Sequence, residues 1–187
     1  MSNLSFGTGS SSYYDWARRG RLYCAYATVT APTIYSTAAG TGGPLLWNNS
    51  LATGERAVDA VLLAVGVAIT TASTVASGLG ITGATGQTTA PSSTTAIDAS
   101  GCTTLGGGFP SQCNVYRKGT VTNAGTFFMP THSLDTAALT AIPTAAQWVD
   151  LGGSVIVMPG SWSAVAAAAT ATTAVCSIGL LWCEIPK

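Results

Sequence analysis

The chain has 187 residues, 47% of them hydrophobic, which is enough for one compact domain with its own core. Only 7% are Asp, Glu, Lys or Arg, against about 25% in a typical soluble domain, and seven charges of each sign cancel. This composition disfavours intrinsic disorder, because disordered chains combine low hydrophobicity with high charge. A nearly neutral surface instead favours a protein that stays in contact with others, as an oligomer or in a lattice.

Residues 1–20 are predicted to form an N-terminal arm, in which a Gly- and Ser-rich stretch precedes an aromatic and basic cluster. Aromatic and Arg side chains are typical anchors of protein interfaces, so the predicted interface residues are Tyr13, Tyr14, Trp16, Arg18 and Arg19. The basic clusters of the chain are too small to predict a nucleic-acid partner. The first residues lack the positive and apolar regions of a secretory signal, so we expect synthesis in the cytosol.

Residues 21–187 are predicted to form a single domain of short strands separated by Gly, Pro and Asn turns. Aromatic and β-branched residues predict strands over residues 22–30, 45–47, 114–122, 126–129 and 148–157. The strongest apolar run of the first half, residues 58–70, is predicted to be a buried strand. Residues 83–112 are predicted to be a Gly/Ser/Thr-rich loop excursion, and a helix is considered only for residues 136–147. This pattern favours an all-β, antiparallel sandwich.

Two uncharged stretches raise the alternative of a membrane-associated protein. The run that starts at Val58 is interrupted by Ser, Thr and Gly from Thr70 onward. The run from Ala164 to Cys183 is interrupted by residues 170–173, which we interpret as a hairpin turn between two strands. Because a membrane helix needs about 20 mainly apolar residues, strands are favoured in both places.

The residue types of several catalytic sites occur, but their arrangement does not support catalysis. The single histidine, His132, has Ser133 and Asp135 nearby in sequence, yet such close neighbours rarely form a triad, and a loop histidine is favoured. The stretch around Ser161 resembles a nucleophile elbow, but no histidine follows it, so a turn leading into a strand is expected. The glycines of residues 80–86 lack the Lys of a phosphate loop and are expected in a flexible loop. We therefore predict a protein that is not an enzyme, with no catalytic, cofactor-binding or metal-binding residues.

The five cysteines show no paired spacing typical of a zinc site or a disulfide scaffold. Cys24, Cys176 and Cys183 lie in apolar runs and are predicted to be buried thiols. Cys102 and Cys113 flank a Gly-rich stretch and are a candidate disulfide pair under oxidising conditions.

The C-terminal region carries a resemblance to a known class of proteins. Its residues are Leu151-Gly-Gly-Ser-Val-Ile-Val-Met-Pro-Gly-Ser-Trp-Ser-Ala-Val and Val175-Cys-Ser-Ile-Gly-Leu-Leu-Trp-Cys-Glu-Ile-Pro186. This ending resembles that of small jelly-roll proteins on tailed-bacteriophage virions, namely head decoration or cement proteins, some of which are similar to the trimeric tumour-necrosis-factor-like jelly roll.

The resemblance implies a jelly-roll β-sandwich that forms a homotrimer, binds the major capsid protein and stabilises the head shell. It implies a place on the capsid surface of the virion after assembly in the host cytoplasm, and no cofactor, small-molecule substrate, nucleic acid or membrane partner. It transfers no catalytic residues. The alternative is a tail-fibre or knob domain that binds a host surface receptor through residues 83–112.

Overall fold

A computed structural model describes residues 15–35, 43–49, 57–71, 78–97, 110–133, 147–168 and 174–187. Within them the chain forms one helical turn, at residues 15–18, and ten strands. The strands are β1 (Leu22–Thr30), β2 (Leu45–Trp47), β3 (Val58–Thr71), β4 (Gly78–Ala84), β5 (Ser92–Ile97), β6 (Asn114–Thr120), β7 (Thr126–Ser133), β8 (Gln147–Val157), β9 (Trp162–Ala167) and β10 (Val175–Pro186). Segments rich in β-branched and aromatic residues therefore form strands where the sequence predicts them.

The strands form two antiparallel sheets, which confirms the predicted β-sandwich. The four-stranded sheet has the order β1-β10-β3-β8, and the six-stranded sheet has the order β5-β6-β2-β9-β4-β7. The predicted hairpin at residues 170–173 is wrong. The strands on its two sides lie in different sheets, since β9 pairs with β2 and β4 whereas β10 pairs with β1 and β3.

The main core lies between the two sheets and follows from the alternation of side chains along each strand. In β1 the inward side chains include Tyr23, Ala25 and Val29, and in β10 they include Ile178 and Trp182. The rings of Tyr23 and Trp182 stack with their centroids 5.8 Å apart. β3 is buried along most of its length, as the sequence predicts.

A second apolar cluster lies on the outer face of the four-stranded sheet. Leu22, Cys183 and Val61 stand side by side on β1, β10 and β3, and the helical turn at residues 15–18 places Trp16 against them. The turn closes with a hydrogen bond of 2.9 Å from the Gly20 amide to the Ala17 carbonyl, and Gly20 has φ 64°, which a glycine adopts without strain.

A third cluster covers part of the outer face of the six-stranded sheet, where Tyr35 and Val121 pack on Trp47, Trp162 and Ala164. Residues 121–125 connect β6 to β7 and are held there by hydrogen bonds from the Thr122 amide to Gln87 Oε1 (2.8 Å) and from the Gly125 amide to the Tyr35 carbonyl (3.1 Å). Gly125 has no room for a side chain, because a Cβ there would lie 2.4 Å from the Trp162 ring.

Three predictions of loops are corrected by the structure. The segment 83–112 contains the end of β4 and all of β5, whose Thr-rich backbone pairs with β6. The glycines of residues 80–86 lie largely in β4, where Gly80 gives room to the Phe127 side chain. His132 belongs to β7, opposite Leu79, and not to a loop.

Of the predicted helix at residues 136–147, only Gln147 is among the described residues, and it begins β8.

Candidate binding surfaces

Large exposed apolar side chains fall into two groups on the surface of the described residues. Tyr26 and Trp148, with 63% and 59% of their surface exposed, lie on the outer face of the four-stranded sheet. Phe128 and Met158 lie where the two sheets meet at β7 and β8, and Ile156, which stands opposite Val61 on the outer face of the four-stranded sheet, borders the same region. Contiguous exposed apolar surface marks interaction sites in soluble proteins, so these two groups are the candidate sites.

The first group is built on one row of residues that crosses the four-stranded sheet. Tyr26 on β1 stands opposite Gly179 on β10, which stands opposite Gly66 on β3, which in turn stands opposite Trp148 on β8. We call this row of four residues the aromatic platform. Its two ends carry large rings and its two central positions carry no side chain.

Gly66 determines how the Trp148 ring lies. A Cβ on Gly66 would be 2.8, 2.8 and 2.9 Å from three consecutive atoms of the benzene part of the indole, which places the face of that ring, and not its edge, over the Gly66 Cα. The far end of the ring reaches towards Gly179, where a Cβ would be 3.5 Å away. The indole therefore lies flat on the sheet, with its other face directed outward.

Three hydroxyl groups surround the Tyr26 end of the platform. The Tyr26 hydroxyl is 2.9 Å from Thr28 Oγ1 and 3.2 Å from Ser177 Oγ, and these two oxygens are 3.1 Å apart. Hydrogen bonds from Ser177 and Thr28 lower the pKa of Tyr26. The next row of the sheet ends in Asp150, whose carboxylate accepts a hydrogen bond of 2.8 Å from the Gly152 amide.

The second group borders a cleft of about 200 Å³ on the side of the sandwich where the edge strands β7 and β8 lie, and β4 and β9 also line it. The residues that line it include Gly83, Phe128, Val155, Met158, Trp162 and Ser163. Three of the residues that border the cleft are exposed: Phe128 at 51%, Ile156 at 56% and Met158 at 49%. We call these three side chains and the cleft the lateral patch.

Both strands beside the lateral patch carry features that block pairing with another strand. In β8, residues 151–154 stand opposite Leu63 alone, and Gly152 and Gly153 have φ of 56° and 76°. β7 contains Pro130, which has no amide to donate. Bulges and prolines protect sheet edges from strand addition, so a partner at this side would contact side chains rather than extend a sheet.

The predicted interface residues of the arm are only partly on the surface. Trp16 is 8% exposed and packs in the chain's own cluster, so it is corrected from an intermolecular anchor to a core residue. Arg19 lies over the Trp16 ring, with 5.8 Å between the guanidinium carbon and the ring centroid, and Arg18 is exposed. Tyr13 and Tyr14 lie outside the described residues.

Cys113, one member of the candidate disulfide pair, is a buried free thiol in this structure, and Cys102 lies outside the described residues. Burial and the neighbouring Glu184 raise the pKa of Cys113 well above its usual value. A bond between the two cysteines under oxidising conditions stays a prediction. Cys176 and Cys183 are buried thiols, as expected, and burial raises their pKa values to about 11 and about 12.

Glu184 is the buried carboxylate that organises this region. It is fully buried, and its Oε1 accepts hydrogen bonds from Ser111 Oγ (2.5 Å) and Trp182 Nε1 (3.3 Å), while its Oε2 accepts one from the Gln112 amide (2.9 Å). Since hydrogen bonds satisfy both oxygens, the carboxylate fixes residues 110–113 to β10. Its surroundings give it a structural role.

The stretch around Ser161 is a turn that leads into β9, as predicted, with φ 75° at Gly160. Burial lowers the pKa of His132.

Among the described residues, no group of three or more His, Cys, Asp or Glu side chains could hold a metal ion. None of the helices in the same part of the chain is long and apolar enough to cross a membrane.

No protein-family model matches the chain, and a search of curated proteins finds no significant match. The surfaces themselves are therefore the basis for assigning a function.

The aromatic platform was not predicted from the sequence. Trp148 was recognised only as the start of a strand, and Gly66 and Gly179 were not singled out. A glycine inside an otherwise β-branched strand signals close approach of another group, and two such strands occur here. The register that joins them cannot be read from the sequence alone.

Proposed function

We propose that this protein is a capsid decoration, or cement, protein of a tailed-bacteriophage head, which forms a homotrimer and binds the major capsid protein. The observation that carries the proposal is the lateral patch, an exposed apolar surface on a nearly uncharged chain. Such a surface can pack against another subunit without burying an unpaired charge, which would cost several kcal/mol per ion.

The strand order supports the jelly-roll part of the proposal. When β5 and β6 are left aside, the other strands give two four-stranded sheets, β1-β10-β3-β8 and β2-β9-β4-β7. Every connection between them changes sheet except the one from β4 to β7. Eight antiparallel strands in two sheets with nested Greek-key connections are the jelly-roll arrangement, which is common in viral capsid proteins. β5 and β6 then extend one sheet as an insertion.

The neighbouring copy is the proposed occupant of the lateral patch. A closed trimer uses two different surfaces of each subunit, and one apolar patch that lies beside blocked sheet edges fits one half of such a contact. The test is sedimentation of the wild type and of a Phe128→Ser/Met158→Ser double variant, with Tyr26→Ser as a control that removes an exposed aromatic side chain elsewhere. We expect trimers for the wild type and the control and monomers for the double variant. A monomeric wild type contradicts the proposed trimer.

The location of the protein on the virion is tested by its copy number in purified virions. A decoration protein should be present in an amount comparable with that of the major capsid protein, measured by gel densitometry, whereas a fibre protein should be far scarcer. Absence from virions contradicts both roles.

The arm is tested by deleting residues 1–14, which leaves Trp16 in place. If the shortened protein binds empty shells as tightly as the full chain does, these residues are not the anchor.

A tail-fibre or knob domain that binds a host surface receptor is the second candidate function. The exposed indole of Trp148 favours it, because recognition surfaces commonly present a rigid aromatic side chain. A low copy number in virions, together with a trimer in solution, would support this candidate over decoration.

A further inference from the structure

We propose that the aromatic platform is a binding site for a neutral carbohydrate, with the outward face of the Trp148 indole stacked on a sugar ring. This site is separate from the lateral patch. The inference goes beyond the decoration role and does not rest on it, since it concerns the isolated protein and a different surface.

Trp148 is the exposed one of the five tryptophans. Trp16, Trp47, Trp162 and Trp182 are all 8% exposed or less, whereas Trp148 is 59% exposed. Leaving a Trp side chain in water forgoes about 1.5–3 kcal/mol or more of burial free energy, so a site that keeps it exposed is a candidate for recognition.

The Trp148 ring is oriented with one face towards solvent. The lower face of the indole covers Gly66, so the opposite face is the one available to a ligand. An upright side chain would enter a pocket of a protein partner, but a ring that lies flat offers a planar apolar surface instead. The C–H groups on one face of a pyranose ring form a matching apolar plane. Gly66 is what allows this arrangement, because a side chain there would meet the ring, whereas one on Gly179 would make only an ordinary contact with it.

Hydroxyl groups lie at the Tyr26 end of the platform. The hydroxyls of Tyr26, Thr28 and Ser177 can each donate and accept hydrogen bonds, as sugar hydroxyls do. In the platform and the hydroxyl cluster no charged side chain is present, and the nearest in register is Asp150. Sulfated or phosphorylated ligands and nucleic acids need Arg or Lys, so the ligand class is a neutral carbohydrate.

The test is affinity electrophoresis of the full chain through native gels that contain a neutral polysaccharide, using a mannan, an α-glucan, a β-glucan and a galactomannan in turn. We expect at least one to retard the wild type. Trp148→Ala should weaken that binding by about tenfold or more, in line with truncation of other aromatic stacking partners. Phe128→Ala, which removes an exposed aromatic ring at the lateral patch, should bind as the wild type does.

Two glycine variants test whether binding depends on the flat orientation of the Trp148 ring. Gly66→Ala would place a methyl group about 2.8 Å from the indole and lift the ring from the sheet, so binding should be lost although Trp148 is still present. Gly179→Ala would place its methyl group at 3.5 Å, an ordinary contact, and should retain binding. Urea unfolding of each variant identifies any loss that comes from unfolding.

Fluorescence gives an independent result, since Trp148 is the exposed tryptophan. Added polysaccharide should reduce acrylamide quenching in the wild type and leave quenching in Trp148→Ala unchanged. Three results would overturn the proposal: no retardation with any of the four polysaccharides, equal retardation of the wild type and Trp148→Ala, or protection of Trp148 that rises with protein concentration without sugar. The last result would assign the platform to a second copy of the chain.

Discussion

Replacing Glu184 with Gln should lower the free energy of unfolding by about 3 kcal/mol. The side chain keeps its size, but one carboxylate oxygen becomes an amide NH₂ group. Ser111 and Trp182 donate to Oε1 and the Gln112 amide donates to Oε2, so at least one buried donor then faces another donor. A hydrogen bond to a charged group contributes about 1.5–3 kcal/mol, and a buried unsatisfied donor costs about 1–3 kcal/mol.

The assay is urea unfolding followed by tryptophan fluorescence, together with a thermal scan. For a chain of this length, 1 kcal/mol corresponds to about 2–4 °C, so Tm should fall by about 6–12 °C. Asp59→Asn is the matched control. Asp59 is partly exposed and lies 3.2 Å from Lys187 Nζ, and a surface pair of this kind contributes less than about 1 kcal/mol.

A Glu184→Gln variant that is no less stable than Asp59→Asn would contradict this structural role of Glu184. In that event the hydrogen bonds to Glu184 would not hold residues 110–113 to β10, and the carboxylate would have to be reassigned from a structural to a functional role.

Three further predictions concern the buried polar and titratable groups. Asn48 Nδ2 donates 2.8 Å hydrogen bonds to the Val58 and Val157 carbonyls and so joins the two sheets. Asn48→Ala should lower the free energy of unfolding, measured in urea, by about 2–4 kcal/mol, and a loss below about 1 kcal/mol would contradict this role. Thr82 Oγ1 is buried without a hydrogen-bond partner among the described residues, so Thr82→Val should leave stability unchanged or raise it by about 1 kcal/mol, whereas Ser163→Ala, which removes a bond to the Thr82 carbonyl, should lower it. Burial and the charge of Glu184 raise the pKa of Tyr23 to about 12, from 10.0. The raised pKa means that the folded state favours protonated Tyr23, so the protein is fully stable in this respect below pH 10 and loses stability as the pH rises towards 12. The urea midpoint should therefore fall over that pH range, and it should fall less in Tyr23→Phe.

Strand positions could be predicted because they depend on local composition. The aromatic and β-branched residues of β1 and the apolar run of β3 identify these strands without knowledge of their partners. Pairing could not be predicted in the same way. Residues 170–173 suggest that the chain turns, but composition does not tell whether the next strand lies beside the last one or in the opposite sheet.

Polar strands were missed for a physical reason. β5 has the sequence Ser-Ser-Thr-Thr-Ala-Ile and is an edge strand, so it lacks the apolar alternation that identifies a half-buried strand. His132 was expected in a loop, but it lies in β7, an edge strand that tolerates Pro130.

The candidate site was the least predictable part. Trp16 was expected to be an exposed anchor, but the helical turn at residues 15–18 folds it against Leu22 and Val61. Gly66 and Gly179 are far apart in the sequence and become neighbours of Trp148 only through the register of three strands. The sequence shows which residues are aromatic, but which of these side chains are exposed depends on the tertiary structure.

The pairing of β1 with β10 has a consequence for synthesis of the protein. Leu22 pairs with Cys183, so among the described strands β1 has no partner until roughly 160 further residues have been made, which takes on the order of 8–32 s at ribosomal rates. During that time the apolar residues of β1 and β3 lack the strand that lies between them. The sandwich must therefore close after translation of β10, and a chain that stops before Val175 would expose both strands to aggregation and proteolysis.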